Sequence, residues 1–139
     1  MKIRTATFFC ARCGGQATRI ELMPAGVVHP KADSKAIEDL GVYKSITSDE
    51  GHAMIVDSVV CKSRGKVDDS TLKNLEALIT KEDSESLYRM DPEYVPSYCQ
   101  PCQKHYCRKH WKIKTVMDHD FYDCTLGICP KGHRRTLDD

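Results

Sequence analysis

The sequence predicts an α+β fold with a β-rich N-terminal lobe at 1–67, a helical connector at 68–97 and a C-terminal module at 98–139. Three observations lead to this fold class. Short apolar runs are separated by turn residues in the first lobe, helical spacing replaces them in the connector, and closely spaced Cys and His residues dominate the module. The net charge is only +1, which argues against a protein that binds nucleic acid through an overall positive field.

The N-terminal lobe is predicted to contain three strands and one short helix. We expect a strand at 18–23, and two further strands at 42–47 and 52–60 that a four-residue turn connects. The helix is expected to begin near Ser34 and to end at Gly41, because apolar residues recur there at helical spacing.

The connector shows the strongest helical pattern in the chain. Asp69 or Ser70 is the expected N-cap, and a second helical segment is expected over 83–90, ended by Pro92. The apolar positions of the first helix recur every three or four residues: Leu72, Leu75, Leu78 and Ile79.

The C-terminal module carries three pairs of residues that bind metals in proteins. The pairs are Cys99 with Cys102, Cys107 with His110, and Cys129 with His133. A thiolate or imidazole pair separated by two or three residues can occupy two corners of a tetrahedral zinc site. Because small lobes with little apolar surface are often stabilised by a metal, the module is predicted to bind zinc.

The outer two pairs resemble those of treble-clef zinc fingers. In that architecture a Cys-x2-Cys turn and a hairpin are followed by a ligand pair at the start of a helix. The matching residues here are Cys99, Cys102, Cys129 and His133, with a predicted hairpin at 111–122 between them. The resemblance implies one zinc ion on these four residues and a short terminal helix that starts at Cys129. It concerns an architecture and identifies no specific family or function.

The middle pair resembles part of the cross-brace fingers, of which B-box and RING domains are examples, because alternate pairs share a metal in those domains. The resemblance implies a second zinc ion on Cys107 and His110. No fourth pair follows in the module, so the remaining two ligands are expected among Cys124, His119, Asp120 and Asp123.

The N-terminal lobe contains one further pair, Cys10 with Cys13, and a later single Cys61. These residues resemble a zinc ribbon that has lost one ligand, since Arg64 stands where the fourth Cys of a ribbon would be. A zinc ion on Cys10, Cys13 and Cys61 would then take His52 or His29 as its fourth ligand. The whole chain is therefore expected to bind one to three zinc ions.

The cellular location is predicted to be cytoplasmic, because the first residues lack the apolar run of a secretory signal and thiols stay reduced there. No apolar run is long enough to span a membrane. The function predicted first is non-enzymatic: zinc holds a surface that binds a protein partner, with nucleic acid as the alternative partner. The sequence does not define the oligomeric state.

Two other functions are compatible with the motifs. The order of Cys102, Asp118-His119 and the pair Cys129 and His133 resembles HNH-type nucleases, in which His119 would be the general base that activates water. Alternatively, the thiols of Cys10 and Cys13 could serve a redox function, or the protein could be a metal sensor.

Overall fold

The computed structural model describes residues 2–139, except for the side chains of Glu38 and Ser48. Among these residues it contains nine strands and two α-helices, with short 3-10 turns between some of them. In chain order the elements are β1 (Arg4–Phe9), β2 (Gln16–Met23), β3 (His52–Asp57), β4 (Lys62–Val67), α1 (Asp69–Lys81), α2 (Ser84–Met90), β5 (Tyr98–Cys99), β6 (Lys104–His105), β7 (Lys112–Asp118), β8 (Phe121–Ile128) and β9 (Arg134–Asp138). The fold is therefore of the mixed α and β type, in agreement with the predicted class.

The chain divides into two units that interleave along the sequence. The first unit consists of the residues up to Ala6 together with Arg19–Asp57 and Lys62–Asp83. The second unit consists of Thr7–Thr18, Ser58–Cys61 and Ser84–Asp139. The Cys10 to Cys13 turn thus belongs to the same unit as the C-terminal Cys and His pairs.

The first unit is organised by antiparallel pairing of β2 with β3 and of β3 with β4, in a sheet of order β1-β2-β3-β4. Five of the six residues of β3 are buried, as is typical of a central strand. The core around it consists of Met23, Tyr43, Ile46, Ala53 and Ile55.

Helix α1 confirms the predicted amphipathic helix, and α2 confirms the shorter segment after it. Leu72, Leu75 and Ile79 are buried on one face of α1. Its N-cap is Asp68, one residue earlier than expected, and its C-cap Glu82 adopts a left-handed conformation. Neither helix, nor any other in the described residues, has the length and apolar character that crossing a membrane requires.

Two predicted elements of the first unit are wrong. The helix expected from Ser34 is only a 3-10 turn at Ile37–Asp39, where Ile37 is exposed and has no core to pack against. Residues 42–47 form no strand, since the Arg64 guanidinium, at 2.9 Å, hydrogen-bonds the Lys44 carbonyl that a neighbouring strand would otherwise pair. The strands that pair with β3 are instead β2 and β4, and the charged sequence of β4 lacks an apolar alternation.

The second unit contains the short hairpin β5-β6 and the antiparallel sheet β7-β8-β9. The predicted hairpin at 111–122 is confirmed and is longer than expected. One buried cluster of this unit combines four thiols with four other side chains, and its members are Cys10, Val59, Cys99, Tyr106, Cys107, Trp111, Cys129 and Leu137. A cluster with so few large apolar side chains needs another source of stability.

The terminal helix expected after Cys129 is wrong, because the chain continues as β9. Gly132 has a φ of 91°, which ends the turn that begins at Cys129 and directs the chain back along β8. Arg135 and Leu137 then alternate with the more exposed Arg134 and Thr136, and this period of two is that of a strand.

Candidate metal centres

The described residues contain two clusters of three Cys and one His, both in the second unit. Within each cluster the four candidate ligand atoms lie within 4.8 Å of one another. The local group consists of Cys99, Cys102, Cys129 and His133, and the long-range group consists of Cys10, Cys13, Cys107 and His110. All eight cysteines of the chain are free thiols.

The local group is built by two tight turns. Cys99 ends β5 and Cys102 lies in the turn before β6, whose pairing aligns Cys99 with Lys104. Cys129 directly follows β8 and His133 directly precedes β9. The antiparallel pairing of β8 with β9 therefore brings the second ligand pair together, as the treble-clef resemblance implied for these four residues.

The long-range group joins the N-terminal pair to the pair that had no partner within the module. The Ala11 N–H donates to the His105 carbonyl at 2.8 Å, which anchors the Cys10 to Cys13 turn beside β6. The Cys10 N–H donates to the Gly15 carbonyl at 2.7 Å and closes this turn. The His110 N–H donates to the Cys107 carbonyl, which closes the turn of the second pair.

The distances between ligand atoms match the edges of a tetrahedron around one metal ion. Bonds of about 2.3 Å from zinc to sulfur and about 2.0 Å to nitrogen, at tetrahedral angles, separate two sulfurs by about 3.8 Å and a sulfur from a nitrogen by about 3.5 Å. The Sγ atoms of Cys102 and Cys129 are 3.8 Å apart, and those of Cys13 and Cys107 are 3.6 Å apart. A disulfide would hold two sulfurs about 2.05 Å apart, so these thiols are arranged as joint ligands rather than as oxidised pairs.

Both imidazoles face the thiols through Nδ1. His133 Nδ1 lies 3.6, 3.2 and 3.4 Å from the sulfurs of Cys99, Cys102 and Cys129. His110 Nδ1 lies 3.4 Å from the Cys10 sulfur and 3.2 Å from that of Cys107. One nitrogen of each ring thus completes a four-atom set, and each set holds three sulfur ligands for one nitrogen ligand.

Backbone N–H groups support the negative form of selected thiols. In the local group, burial by itself would raise the pKa of Cys129, but the N–H groups of His133 and Lys131 outweigh it and lower that pKa from its ordinary 9.0 to about 7. In the long-range group the same balance applies to Cys10, where burial is outweighed by backbone N–H donors, chiefly that of Cys107, and the pKa falls to about 6. Each group therefore contains one thiol prepared to bind a cation.

The neighbouring thiols show why a cation suits these sites. Burial, together with the adjacent Cys102 and Cys129 thiols, raises the pKa of Cys99 to about 12. Burial and the adjacent Cys13 thiol likewise raise the pKa of Cys107. Closely packed thiolates repel one another in the protein alone, and a divalent metal removes this repulsion because it binds the deprotonated form.

The order of the four pairs along the chain is alternating. The first and third pairs form the long-range group, and the second and fourth pairs form the local group. The pair that the C-terminal module lacks is thus the N-terminal pair. Its Cys13 is 94 residues before Cys107 in the sequence, and the two sulfurs are in contact. One signal in the sequence pointed to this grouping. Two pairs, Cys10 with Cys13 and Cys107 with His110, each lacked a second pair to complete a four-ligand site.

The other candidate ligands lie outside both groups. Cys61 is exposed, and its carbonyl accepts a hydrogen bond from the Ser58 N–H. His52 uses both ring nitrogens elsewhere, since Nδ1 accepts from the Ala25 N–H at 2.9 Å and Nε2 lies 2.6 Å from the Asp69 carboxylate. His29 Nδ1 accepts from the Lys31 N–H and Nε2 lies 2.7 Å from Glu21, so this histidine has two partners as well.

The candidates on the β7-β8 hairpin are also separate from the two groups. His119 lies in the turn of this hairpin with a φ of 56° and a side chain that is 92% exposed. Cys124 lies on β8 with intermediate exposure, and Asp120 and Asp123 are exposed near the same turn. The structure therefore completes the set around Cys107 and His110 with Cys10 and Cys13, which sequence reasoning had placed in a different lobe.

A chain of polar side chains beside the long-range group escaped the sequence analysis. The Ser58 hydroxyl donates to the Ala17 carbonyl, so Ser58 Oγ accepts from the Thr18 hydroxyl at 2.8 Å. Thr18 in turn accepts from the Ser97 hydroxyl, and Ser97 accepts from His105 Nδ1 at 2.8 Å. This sequence of donors assigns the proton of the neutral His105 ring to Nδ1.

Burial favours the neutral form of the His105 ring. Its bare Nε2 accepts from the Ser84 hydroxyl at 2.7 Å, and the ring stacks on Phe8 with centroids 4.5 Å apart. Burial, with a smaller effect of the Arg135 charge, lowers the pKa of His105 to about 4. Since the His105 carbonyl also binds the Ala11 N–H, this residue positions the turn that carries Cys10 and Cys13.

Comparison with known proteins gives one match. A family model described as Domain of unknown function (DUF8328) matches residues 1–139, so the chain belongs to this family. No curated protein and no solved structure matches the chain significantly. The geometry of the two Cys3His groups therefore carries the functional argument.

Proposed function

We propose that this protein is a non-enzymatic zinc protein that binds two ions, one in each Cys3His group, and thereby holds a surface for a protein or nucleic-acid partner. The observation that carries the proposal is the spacing of the ligand atoms. Sulfur atoms 3.6–3.8 Å apart, with an imidazole nitrogen 3.2–3.6 Å from the sulfurs, fit a tetrahedral metal ion in both groups.

The composition of the donor set favours zinc. Three thiolates and one imidazole in tetrahedral arrangement suit zinc, whereas magnesium and calcium require oxygen ligands. Four protein ligands also leave no open position for a water molecule or a substrate. The proposed ions are therefore structural, and they add stability to the buried cluster in which four of the eight side chains are thiols.

The alternating order of the ligand pairs supports a cross-brace arrangement. In such a module each ion fixes two separate turns, and the two ions together fix all four turns relative to one another. The resemblance to B-box-like fingers extends this far and no further, because the first pair here lies outside the C-terminal module. Cross-brace modules act by presenting a rigid surface, and this is the function we propose here.

The nuclease alternative depends on His119. A general base for water activation must lie beside a divalent metal. His119 is exposed at a hairpin turn and belongs to neither Cys3His group, so the geometry offers this alternative no support. It is tested directly by comparing the nuclease activity of the purified protein with that of its His119→Ala variant.

The redox or sensor alternative depends on labile thiols. Cys13 is exposed while Cys10 and Cys107 of the same group are buried. A sensor would release zinc under mild peroxide, because oxidised thiols no longer bind the ion. A structural protein would keep both ions under the same treatment.

Native mass spectrometry tests the two-site proposal. We expect two zinc ions per chain in the wild type and one in Cys10→Ser. Cys102→Ser is expected to hold none, because loss of the local ion should unfold the unit that contains both groups. Cys61→Ser and Cys124→Ser are the matched controls and are expected to keep both ions, because these thiols lie outside both groups. A metal-free wild type that unfolds at the same temperature with and without a strong chelator would overturn the proposal.

A further inference from the structure

The sheet β7-β8-β9 has one face that is exposed and positively charged at one end. Cross-strand register places Lys112, Ile128 and Arg134 in one row, and Lys114, Leu126 and Thr136 in the next. Residues in a row, and in alternate rows, project from the same face of a sheet. We call this surface the basic groove; it is defined by Lys112, Lys114, Leu126, Ile128 and Arg134.

The basic groove combines an apolar floor with a cationic rim. Its open volume is about 730 Å³. Leu126 and Ile128 lie on the central strand, and the cations lie on the two outer strands. None of the described residues that line the groove is acidic, so the rim cations have no carboxylate partner within it. An occupant that matches this surface carries both carboxylates and apolar side chains.

The other end of the same hairpin has that composition. We call it the acidic tip; it is defined by Met117, Asp118, Asp120, Phe121 and Asp123. All five residues are exposed, with Phe121 at 76% and Met117 at 53%. Large apolar side chains of this exposure beside three carboxylates form a patch of the kind that marks interaction sites.

The two surfaces are spaced for a reciprocal contact. Lys112 and Asp118 are the first and last residues of β7, so about 20 Å of strand separates the cationic end from the anionic end. Two copies of the hairpin that pack with opposite strand directions place the tip of each over the groove of the other. A two-fold axis generates both contacts at once, as in the isologous interfaces of most dimers.

We propose that a second copy of this chain occupies the basic groove, with the acidic tip of each copy seated in the groove of the other. The proposal rests on the proposed function, because the local zinc site closes the β8-β9 turn that forms one end of the groove. Cys129 follows Ile128 and His133 precedes Arg134, so two groove residues are direct neighbours of ligands.

A second copy explains the surface better than nucleic acid does. Trp111 and Tyr106, which a single strand would need as stacking platforms, are both 4% exposed and belong to the core. A long polyanion that followed the basic groove would also meet the carboxylates of the acidic tip. Only an occupant with both signs of charge satisfies both ends of the hairpin.

The contact area sets the expected strength. A face of about 20 Å by about 15 Å offers about 300 Å² on each copy, whereas a standard specific interface buries about 800 Å² per partner, so the dimer is expected to be weak and to exchange rapidly. Since charge pairs on its exposed rim contribute much of the attraction, raising the salt concentration should dissociate it.

Sedimentation velocity over a range of protein and salt concentrations tests the proposal. We expect the wild type to dimerise as its concentration rises at low salt and to return to monomer at high salt. The Lys112→Glu/Lys114→Glu variant and the Asp118→Lys/Asp120→Lys variant are each expected to remain monomeric, because like charges then face each other in both contacts. The chain with all four substitutions has the net charge of the wild type and is expected to dimerise again.

Two controls separate this proposal from the zinc proposal. Lys73→Glu/Lys81→Glu changes the net charge equally at exposed positions of α1 and should leave dimerisation unchanged. Every variant should contain two zinc ions, which shows that the second unit is folded. A wild type that holds two ions but stays monomeric, or a four-substitution chain that stays monomeric, refutes the dimer and leaves the zinc proposal intact. Binding of an acidic, apolar peptide to a strictly monomeric wild type would also refute it, since the groove would then serve another protein.

Discussion

The two Cys3His groups use the same donors but differ in how the chain brings them together. The local group closes 27 residues between Cys102 and Cys129, whereas the long-range group closes 94 residues between Cys13 and Cys107. By loop-closure entropy the longer connection costs only about 1 kcal/mol more. Separation along the sequence is therefore a poor reason to assign ligands to separate sites.

The surroundings of the two groups differ more than their loop lengths do. The local group lies between two hairpins and includes two buried thiols, Cys99 and Cys129, beside Trp111 and Leu137. The long-range group lies in two irregular turns, and its Cys13 is exposed. We therefore expect the local site to be essential for folding of the second unit and the long-range site to be more easily opened.

The largest effect is expected from removing a ligand of the local group. Cys102→Ser should release that zinc ion and unfold the second unit, because structural zinc in small domains contributes about 10 kcal/mol or more to folding. Loss of the near-ultraviolet circular dichroism of Trp111 measures this outcome, and Cys124→Ser is the matched control. A Cys102→Ser protein that keeps a native Trp111 signal would contradict the role assigned to the local site.

Removing a ligand of the long-range group should have a smaller effect. Cys10→Ser is expected to release one ion and to free the turns at 10–15 and 107–110, while the pairing of β7, β8 and β9 persists. Hydrogen exchange of backbone amides resolves the two regions. The wild type treated with a chelator should likewise lose this ion first, in a phase that is absent from Cys10→Ser. Loss of protection throughout the second unit would mean instead that the two sites fold as one.

The same comparison shows what the sequence could and could not predict. The local group was predicted through the treble-clef resemblance, whose matching residues Cys99, Cys102, Cys129 and His133 all lie in one short module. The partner of Cys107 and His110 was sought nearby, and Cys10 was assigned to Cys61, because pattern reasoning favours ligands that are close in sequence. Which pair completes the site of Cys107 and His110 depends on the hydrogen bond from the Ala11 N–H to the His105 carbonyl. This bond joins two backbone groups, so the residue types do not predict it.

Secondary structure shows the same limit. Helix α1 and the β7-β8 hairpin were predicted because their apolar residues recur with a clear period. Strand β4 was missed because Lys62–Val67 carries mostly charged and small residues, as edge strands often do. Strand β9 was taken for a helix because the predicted architecture, rather than the alternation of Arg135 and Leu137, decided that interpretation.

The pH dependence of stability provides a further test, because the buried His105 on β6 contacts the turn that carries Cys10 and Cys13. The pKa of His105 is lowered to about 4 from its ordinary 6.5, so between these values the unfolded chain binds a proton that the folded chain does not. Stability is then fully present above pH 6.5 and declines as the pH falls toward 4, by about 3 kcal/mol in total.

Replacing His105 should flatten this dependence. His105→Asn keeps a side-chain donor and acceptor but removes the titrating ring, so its unfolding free energy is expected to fall less steeply between pH 6.5 and 4 than that of the wild type. Chemical denaturation at several pH values measures the slopes, and zinc content is determined at each pH to separate loss of metal from titration. Equal slopes in the two proteins would show that His105 does not titrate as described.

The smallest effect is expected from packing beside the local group with every ligand intact. Gly127 lies on β8, where an added Cβ would come within 2.6 Å of Leu137 and 2.9 Å of Trp111. Both neighbours are buried core side chains, so Gly127→Ala should cost about 1–3 kcal/mol through overpacking. The variant should still bind two zinc ions and melt at a lower temperature. Gly65→Ala is the matched control, since a Cβ at that position of β4 meets no atom within 4 Å. If Gly127→Ala lost the local ion instead, side-chain packing rather than the four ligands would determine whether that site forms. The difference in stability between the two groups would then arise from the packing around them.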